Sequence, residues 1–177
     1  MVLAKPTLAL PIAAMTLVVV ASNILVQFPI NDWLTWGAFT YPFSFLVTDL
    51  TNRRMGPAAA RRAVYVGFAI AVVLSIALAT PRIALASGMA FLVAQLLDIT
   101  VFNRMRLMNW WKAPLASGGL AAVCDTTAFF GIAFAFTGLP WMSWAAGDLM
   151  VKGTMILLLL APYRALMSRR DIAAAAA

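Results

Sequence analysis

Five ionisable side chains lie within stretches of sequence that are otherwise apolar. They are Asp49, Asp98, Asp125, Asp148 and Lys152. Carboxylates and an ammonium group can bind a polar small molecule through charge-assisted hydrogen bonds. The chain contains no histidine, no glutamate and no phosphate-binding loop motif, so catalytic, metal-binding and ATP-hydrolysing chemistry have no candidate residues. We therefore predict a protein that is not an enzyme and that has no cofactor or metal.

Aromatic and polar side chains accompany these residues at helical spacing. Intervals of three and four residues bring side chains to one face of a helix. The faces predicted in this way contain Phe45 with Asp49, Phe91 and Gln95 with Asp98 and Phe102, Asp125 with Phe129, and Asp148 with Lys152. A few convergent polar groups in apolar surroundings are typical of a small-molecule site. We predict that these ten residues bind the substrate.

Two of the carboxylates also have a structural interpretation. Asp49 and Arg53 are four residues apart and could form a simple ion pair at the edge of a membrane. Asp148 and Lys152 have the same spacing and could neutralise each other. In either interaction the carboxylate must lie beside a cation of its own helix.

Asp98 and Asp125 have no cation three or four residues away, and a charged side chain costs a few kcal/mol in hydrocarbon. This cost favours a functional role for both. They also begin two similar segments, "DITVF" at Asp98–Phe102 and "DTTAF" at Asp125–Phe129. In an inverted repeat of the kind that transporters contain, the two carboxylates would face each other between neighbouring helices.

The composition requires a membrane. Of 177 residues, 64% are hydrophobic and 11% are charged, and the mean hydropathy is +0.93, whereas a soluble domain is about half apolar and about a quarter charged. The net charge of +7 could indicate nucleic-acid binding. The basic residues, however, occur in short clusters between apolar runs, as in membrane proteins. We predict a lipid bilayer and no nucleic acid as partners.

Six apolar segments are each close to the ~20 residues that cross a bilayer. They are Thr7–Ile30, Trp33–Asn52, Arg62–Thr80, Arg82–Asn103, Leu115–Phe136 and Trp141–Leu160. The first is longer than the apolar core of a signal peptide, so we expect it to be retained. Gly37 and Pro42 predict a kinked or unwound start to the second. The predicted fold is an all-α integral membrane protein, with six transmembrane helices in one bundle over residues 1–172 and a low-complexity alanine tail at 173–177.

The basic residues predict the orientation of this bundle. Eleven of the thirteen lie on one side of the predicted spans: Lys5, Arg53, Arg54, Arg61, Arg62, Arg104, Arg106, Lys112, Arg164, Arg169 and Arg170. The loops on the other side hold only Arg82. Because cytoplasmic loops carry the excess of lysine and arginine, we predict that both termini are cytoplasmic.

Four motifs of the chain are distinctive: "YPFSFLVTDLTNRRMGPAAARR" from Tyr41, "AQLLDITVFNRMR" from Ala94, "CDTTAFFGIAF" from Cys124, and the Asp148 and Lys152 pair. They resemble the queuosine precursor transporter family, also called the vitamin uptake transporter family, in its bacterial inner-membrane branch. The resemblance covers about Tyr41 to Tyr163. It implies import of 7-cyano- or 7-aminomethyl-7-deazaguanine for tRNA queuosine salvage, and a fold similar to the substrate-binding components of vitamin importers, without a dedicated ATPase.

The resemblance also implies site residues. Six residues fall on positions that match its motifs: Asp49, Gln95, Asp98, Asp125, Asp148 and Lys152. A guanine-like ring offers two adjacent donors that one carboxylate can accept, and we expect Asp98 or Asp125 to accept them. Phenylalanine rings can stack on the base. Asp49 would lie at the cytoplasmic end of the cavity, where it could pair with arginine or help to form a gate.

Two other functions remain open at this stage. The chain could be the substrate-binding subunit of an ATP-driven vitamin importer, or a structural membrane protein with no small-molecule ligand. Uptake by the isolated protein separates the first from a self-sufficient transporter. A homodimer is compatible with so small a bundle.

Overall fold

The computed structural model describes residues 7–25, 28–31, 34–78 and 81–167. Its elements are α1 (Ala9–Leu25), β1 (Pro29–Asn31), β2 (Leu34–Thr35), α2 (Gly37–Thr40), α3 (Phe43–Met55), α4 (Pro57–Leu78), α5 (Pro81–Met105), α6 (Lys112–Phe134) and α7 (Trp141–Leu166). Lys5, Arg169, Arg170 and the alanine tail, for which the sequence predicts roles, lie outside the described residues.

Glycine and proline set several of the helix ends. Gly56, at a φ of 85°, donates its N–H to the carbonyl of Asn52 and ends α3, because glycine adopts positive φ without a steric penalty. Pro57 and Pro81 are the first residues of α4 and α5, where the missing N–H has no helical partner to lose. These residues place the connections between the helices at the ends of the bundle.

Four helices are long and apolar enough to cross a membrane within the described part of the chain. They are α4, α5, α6 and α7, which correspond to the third to sixth predicted spans. The prediction of an all-α membrane protein is confirmed, apart from the small antiparallel hairpin of β1 and β2 that the sequence did not suggest. The apolar helix α1 has 17 residues and is shorter than the other four.

The second predicted span is divided. Its first part forms β2 and α2, and α3 begins only after Pro42. The irregularity predicted at Gly37 and Pro42 is thus confirmed, but a single helix over Trp33–Asn52 is not formed. At 1.5 Å per residue, the 13 residues of α3 rise about 20 Å, which is less than the ~30 Å hydrocarbon core.

The short helix α3 occupies the centre of the bundle. It packs against α1, α4, α5, α6 and α7. Its buried side chains are mostly polar: Ser44, Phe45, Thr48, Asp49, Thr51, Asn52 and Arg53. A helix that other helices surround does not need an apolar face toward lipid, so α3 can carry polar residues into the interior.

The other helices pack around α3 through small residues. The most extensive contact joins α5 to α6, where Ala94 and Ala121 lie in one buried cluster. On the opposite side, α1 meets α4 at Gly67, where a Cβ atom would lie 2.5 Å from Cγ of Met15. The absence of a side chain at Gly67 is therefore what lets α1 and α4 approach so closely.

Candidate functional site

The centre of the bundle holds an ionic cluster that we call the Lys152 cluster, formed by Tyr41, Asp125, Thr126, Asp148 and Lys152. Lys152 Nζ lies 2.7 Å from Oδ2 of Asp125 and 2.5 Å from Oδ2 of Asp148. It also lies 3.2 Å from the hydroxyl of Thr126. The lysine is 4% exposed, so its charge is compensated by carboxylates on α6 and α7 and not by water. The predicted pairing of Lys152 with Asp148 is confirmed, and Asp125 is a second partner.

Each carboxylate of the Lys152 cluster has a second donor. Tyr41 donates a 2.7 Å hydrogen bond to Oδ1 of Asp125, and the hydroxyl of Thr126 donates a 2.7 Å bond to Oδ2 of Asp148. Nζ of Lys152 lies 5.2 Å from the centre of the Tyr41 ring, within range of a cation–π interaction. With one ammonium and two ionised carboxylates, the cluster has one negative charge more than it has positive charges.

A second pair of carboxyls, Asp49 on α3 and Asp98 on α5, lies next to each other and interacts electrostatically. The two residues are 3% and 0% exposed. Ser117 on α6 donates a long bond of 3.4 Å to Oδ1 of Asp49. Neither oxygen of Asp98 accepts a hydrogen bond of normal geometry from the described residues. We call Asp49, Asp98 and Ser117 the carboxyl pair site.

Gln95 holds α5 against α3 beside the carboxyl pair site. Its Oε1 accepts a 2.6 Å hydrogen bond from Thr48, and its Nε2 donates a 2.7 Å bond to Ser44. All three side chains are almost fully buried. Because both ends of the amide are occupied within the protein, Gln95 positions the two helices in the described conformation.

Arg53 closes the end of the bundle at which α3, α5 and α7 end. Its Nε donates a 3.0 Å hydrogen bond to the hydroxyl of Tyr163, and its Nη1 donates to the carbonyl of Arg106. The guanidinium also lies over the ring of Phe102, 5.1 Å from its centre. We call Arg53, Phe102, Arg106 and Tyr163 the arginine plug. These contacts join α3, α5 and α7 at this end of the bundle.

A small cavity separates the arginine plug from the centre of the bundle. Its lining includes Phe45, Asp49, Gly118, Ile156 and Tyr163, from α3, α6 and α7. The volume is about 20 Å³, which is enough for one water molecule. Small-molecule pockets usually measure about 300–1,000 Å³, so this cavity is too small to hold a drug-sized or purine-like ligand.

The structure brings most of the predicted residues into one column along the bundle. Phe45 lines the small cavity, and Phe102 lies in the arginine plug. The ring of Phe91 packs edge-to-face against the ring of Tyr41, with 6.3 Å between the ring centres. Phe129 does not join them, because it packs with Phe130 and with other aromatic residues at the far end of α6.

Two of the sequence interpretations are wrong for the described residues. Asp49 and Arg53 do not form a salt bridge, because Arg53 turns toward Tyr163 and the carbonyl of Arg106. Asp98 and Asp125 do not form a facing pair, because Asp98 lies beside Asp49 while Asp125 binds Tyr41 and Lys152.

Hydroxyl groups are the functional side chains that the sequence reading missed. They belong to Tyr41, Ser44, Thr48, Ser117 and Thr126. Ser44 and Thr48 are four residues apart. Thr48 and Thr126 are each next to an aspartate in the sequence. This spacing was a usable signal, because buried carboxylates need donors.

Comparisons with known proteins agree with the motifs. A family profile described as "Putative vitamin uptake transporter" matches residues 35–80 and 74–166. The chain is 39% identical to the "Queuosine precursor transporter" of Escherichia coli, over 77% of this chain and 75% of that protein. It is 36% identical to the "Probable queuosine precursor transporter" of Haemophilus influenzae, over 72% of this chain and 71% of that protein. No solved structure matches the chain.

Proposed function

The chain belongs to the vitamin uptake transporter family, and we propose that it imports queuosine precursors across the bacterial inner membrane. The relatives named above support this substrate class. The observation that carries the proposal is the Lys152 cluster, in which a buried lysine has two carboxylate partners.

Asp125 is the carboxylate that we propose for the guanine-like edge of a 7-deazaguanine. One carboxylate can accept the ring N–H and the exocyclic amine together, in a pair of charge-assisted hydrogen bonds. Both oxygens of Asp125 already accept such bonds, from Tyr41 and from Lys152. The substrate therefore replaces donors that the protein supplies when the site is empty.

Lys152 makes that replacement possible. It contacts Asp148 at 2.5 Å as well as Asp125 at 2.7 Å. When the substrate takes Asp125, Lys152 stays paired with Asp148 and no buried charge is left without a partner, which would otherwise be costly.

Aromatic rings next to the cluster provide surfaces for the base. Tyr41 packs edge-on against Phe45 and Phe91, at 5.8 and 6.3 Å between ring centres. Stacking of a base on an aromatic ring contributes roughly 1–3 kcal/mol in nucleic-acid sites. We propose that Phe45 or Phe91 turns to stack on the substrate when the bundle opens.

Transport then consists of opening and closing the two ends of the column. The arginine plug closes one end in the described conformation, and the cavity of about 20 Å³ is too small for a purine-like base. We propose that the substrate enters from the opposite end, near Phe134 and Trp144, and leaves after the arginine plug opens.

The proposed topology has six crossings and cytoplasmic termini. The helices α4 to α7 supply four crossings, and we propose that α1 and the α2–α3 segment supply the other two. The positive-inside rule puts the arginine plug on the cytoplasmic side. The single basic residue of the opposite loops, Arg82, has a local role, since it donates to the carbonyls of Ile132 and Ala135 at the end of α6.

Uptake by the purified protein in liposomes tests the proposal. Both 7-cyano- and 7-aminomethyl-7-deazaguanine are offered in radiolabelled form, with guanine as the competitor. Uptake without any added ATPase supports a self-sufficient transporter. Binding without uptake would instead indicate a substrate-binding subunit that needs an ATP-driven partner, and neither binding nor uptake would indicate a structural protein.

A further inference from the structure

We propose that Asp49 and Asp98 form a proton-binding site, separate from the Lys152 cluster, and that each transport cycle carries one proton with the substrate. This inference rests on the proposed function for its transport step only. The site itself is argued from the geometry of Asp49 and Asp98. The sequence grouped both with the substrate-binding residues, but they lie apart from the Asp125 site proposed above for the substrate.

The two carboxyls share a dry environment. Asp49 and Asp98 are 3% and 0% exposed. They lie on α3 and α5, which hydrogen bonds join on either side of Asp49, from Thr48 to Gln95 and from Asn52 to the carbonyl of Ile99. Among the described residues, the hydroxyl of Ser117 lies 3.4 Å from Asp49 and also interacts with Asp98. Both oxygens of Asp98 lack a hydrogen-bond donor among the described residues, although a buried carboxylate normally has several.

No cation compensates this pair in the described residues. The salt bridges of those residues all involve Lys152, which is paired with Asp125 and Asp148. Arg53 acts on Asp49 from one helical turn away, but its Nε and Nη1 donate to Tyr163 and to a backbone carbonyl, and its Nη2 has no hydrogen-bond partner among the described residues. Two ionised carboxylates side by side in a low-dielectric interior repel each other strongly, so one proton must be shared between them.

The other elements around the pair do not change this balance. Helix α1 has no ionisable residue in its described length, and Arg61 and Arg62 of α4 are exposed. Tyr163 of α7 lines the same small cavity as Asp49. Tyr41 interacts electrostatically with Asp98 and donates a hydrogen bond to Asp125. Apart from these two exposed arginines, none of these groups carries a positive charge.

The small cavity gives the proton a route. Asp49 lines it, and it has room for one water molecule between the carboxyl pair site and the arginine plug. When the plug opens, water reaches the pair and the shared proton leaves to the cytoplasm. The charge of the pair then changes from −1 to −2.

Arg53 can replace the proton after release. It lies four residues after Asp49 on the same helix, which is the spacing of an i,i+4 ion pair. Once Arg53 has left Tyr163, it pairs with Asp49, and the two carboxylates together with Arg53 have a net charge of −1. The empty bundle can then close and return. On the outer side, a new proton displaces Arg53, which rebuilds the arginine plug. One proton thus enters and one leaves in each cycle.

Transport driven by a pH gradient tests the coupling. Wild-type proteoliposomes in sodium-free buffer, with the membrane potential held at zero by potassium and valinomycin, receive an interior one pH unit more alkaline than the outside. One proton per substrate sustains an accumulation ratio of about ten at that gradient, and a protonophore returns the ratio to one. A ratio of one despite working substrate exchange, or accumulation that follows a sodium gradient instead, overturns the proposal.

The variant Asp98→Asn separates the proton from the substrate. Asparagine resembles the protonated carboxyl, so we expect substrate exchange between the two sides to continue while pH-driven accumulation is lost. If Asp98→Asn still accumulates substrate tenfold with the pH gradient, the carboxyl pair is not the coupling site.

Infrared spectroscopy of the purified protein tests the site without transport. We expect the wild type to show the carbonyl stretch of a protonated carboxyl at neutral pH. The control variant Asp148→Asn should show the same band, because wild-type Asp148 is paired with Lys152 and does not belong to the carboxyl pair site. The band should vanish in Asp98→Asn. Its absence from the wild type, or its persistence in both Asp98→Asn and Asp49→Asn, contradicts a shared proton. Absence of substrate exchange would refute the proposed substrate, and the infrared band alone would then decide the proton site.

Discussion

The hydroxyl of Tyr41 donates a 2.7 Å hydrogen bond to Oδ1 of Asp125, which is 84 residues away in the sequence. Tyr41 lies where α2 has ended and α3 has not yet begun. The bond therefore joins the irregular part of the second predicted span to the middle of α6. The same carboxylate holds Lys152 through its other oxygen, so one residue links three segments of the bundle.

Replacing Tyr41 by phenylalanine should destabilise the protein. The ring and its contacts with Phe45 and Phe91 remain, but Oδ1 of Asp125 loses its donor in a buried position. An unsatisfied buried acceptor costs about 1–3 kcal/mol. Thermal unfolding in detergent should show a lower midpoint for Tyr41→Phe. The control is Tyr65→Phe, which removes a hydroxyl from a side chain that is half exposed, and an equal shift in the two variants would argue against the role of the bond.

Replacing Asp125 by asparagine should weaken binding of the deazaguanine by about tenfold or more. The amide keeps the shape, but one of its two ends becomes a donor that faces the donors of the substrate. Loss of a charge-assisted bond typically costs about 1.5–3 kcal/mol. Isothermal titration of Asp125→Asn and Asp148→Asn should show the larger loss for Asp125→Asn. Parental affinity in Asp125→Asn would remove Asp125 as the recognition group.

Replacing Arg53 by lysine should loosen the arginine plug. An ammonium group lacks the planar fork that serves Tyr163 and the carbonyl of Arg106 together. We expect a cysteine at the cavity-lining position Leu159, in a Cys124→Ser background, to react about tenfold or more faster with a cytoplasmic thiol reagent.

The matched control for Arg53→Lys is Arg62→Lys, because Arg62 is exposed. The same increase in labelling at Leu159→Cys with the control variant would mean that the plug does not close the cavity.

A pair of glycine substitutions should have opposite effects on stability. A Cβ atom at Gly67 would lie 2.5 Å from Cγ of Met15, whereas none of the atoms around Gly119 lies within 4 Å of its Cβ position. Gly67→Ala should separate α1 from α4 and destabilise the protein by about 1–3 kcal/mol. Gly119→Ala should be neutral or stabilising by up to about 1 kcal/mol, because alanine favours helix over glycine. Thermal unfolding compares the two, and equal midpoints would contradict the close contact.

Cysteine labelling of intact cells should reveal the orientation. Phe136 is fully exposed in the α6–α7 connection, and Leu107 is exposed in the α5–α6 connection. In a Cys124→Ser background, we expect a membrane-impermeant maleimide to label Phe136→Cys and not Leu107→Cys. Both sites should react after the cells are opened. The reverse pattern would invert the proposed topology.

The sequence predicted those parts of the fold that depend on local patterns. The proline positions and the lengths of the apolar runs predicted the positions of α5 and α7 closely, because each of these signals lies within a single segment of the sequence. The pairing of Lys152 with a carboxylate was also predictable, since an ammonium group at that depth needs compensation.

The rotation of each helix about its axis could not be predicted in this way. Thr48 meets Gln95, and Arg53 meets Tyr163, at separations of 47 and 110 residues. Such contacts depend on which helices are neighbours, and an apolar face packs equally well against lipid or another helix. For the same reason, the central position of α3 did not follow from its pattern, although its low hydrophobicity was a sign that lipid does not surround it.

The double pairing of Lys152 has a consequence for biogenesis. Helix α7 carries its own neutralising pair, since Asp148 and Lys152 are one turn apart, and it can leave the translocon without an uncompensated charge. Helix α6 is synthesised first and carries Asp125, whose cation is still inside the ribosome at that moment. We therefore expect α6 to wait beside the translocon until α7 arrives, so that the two helices partition into the bilayer as one hairpin.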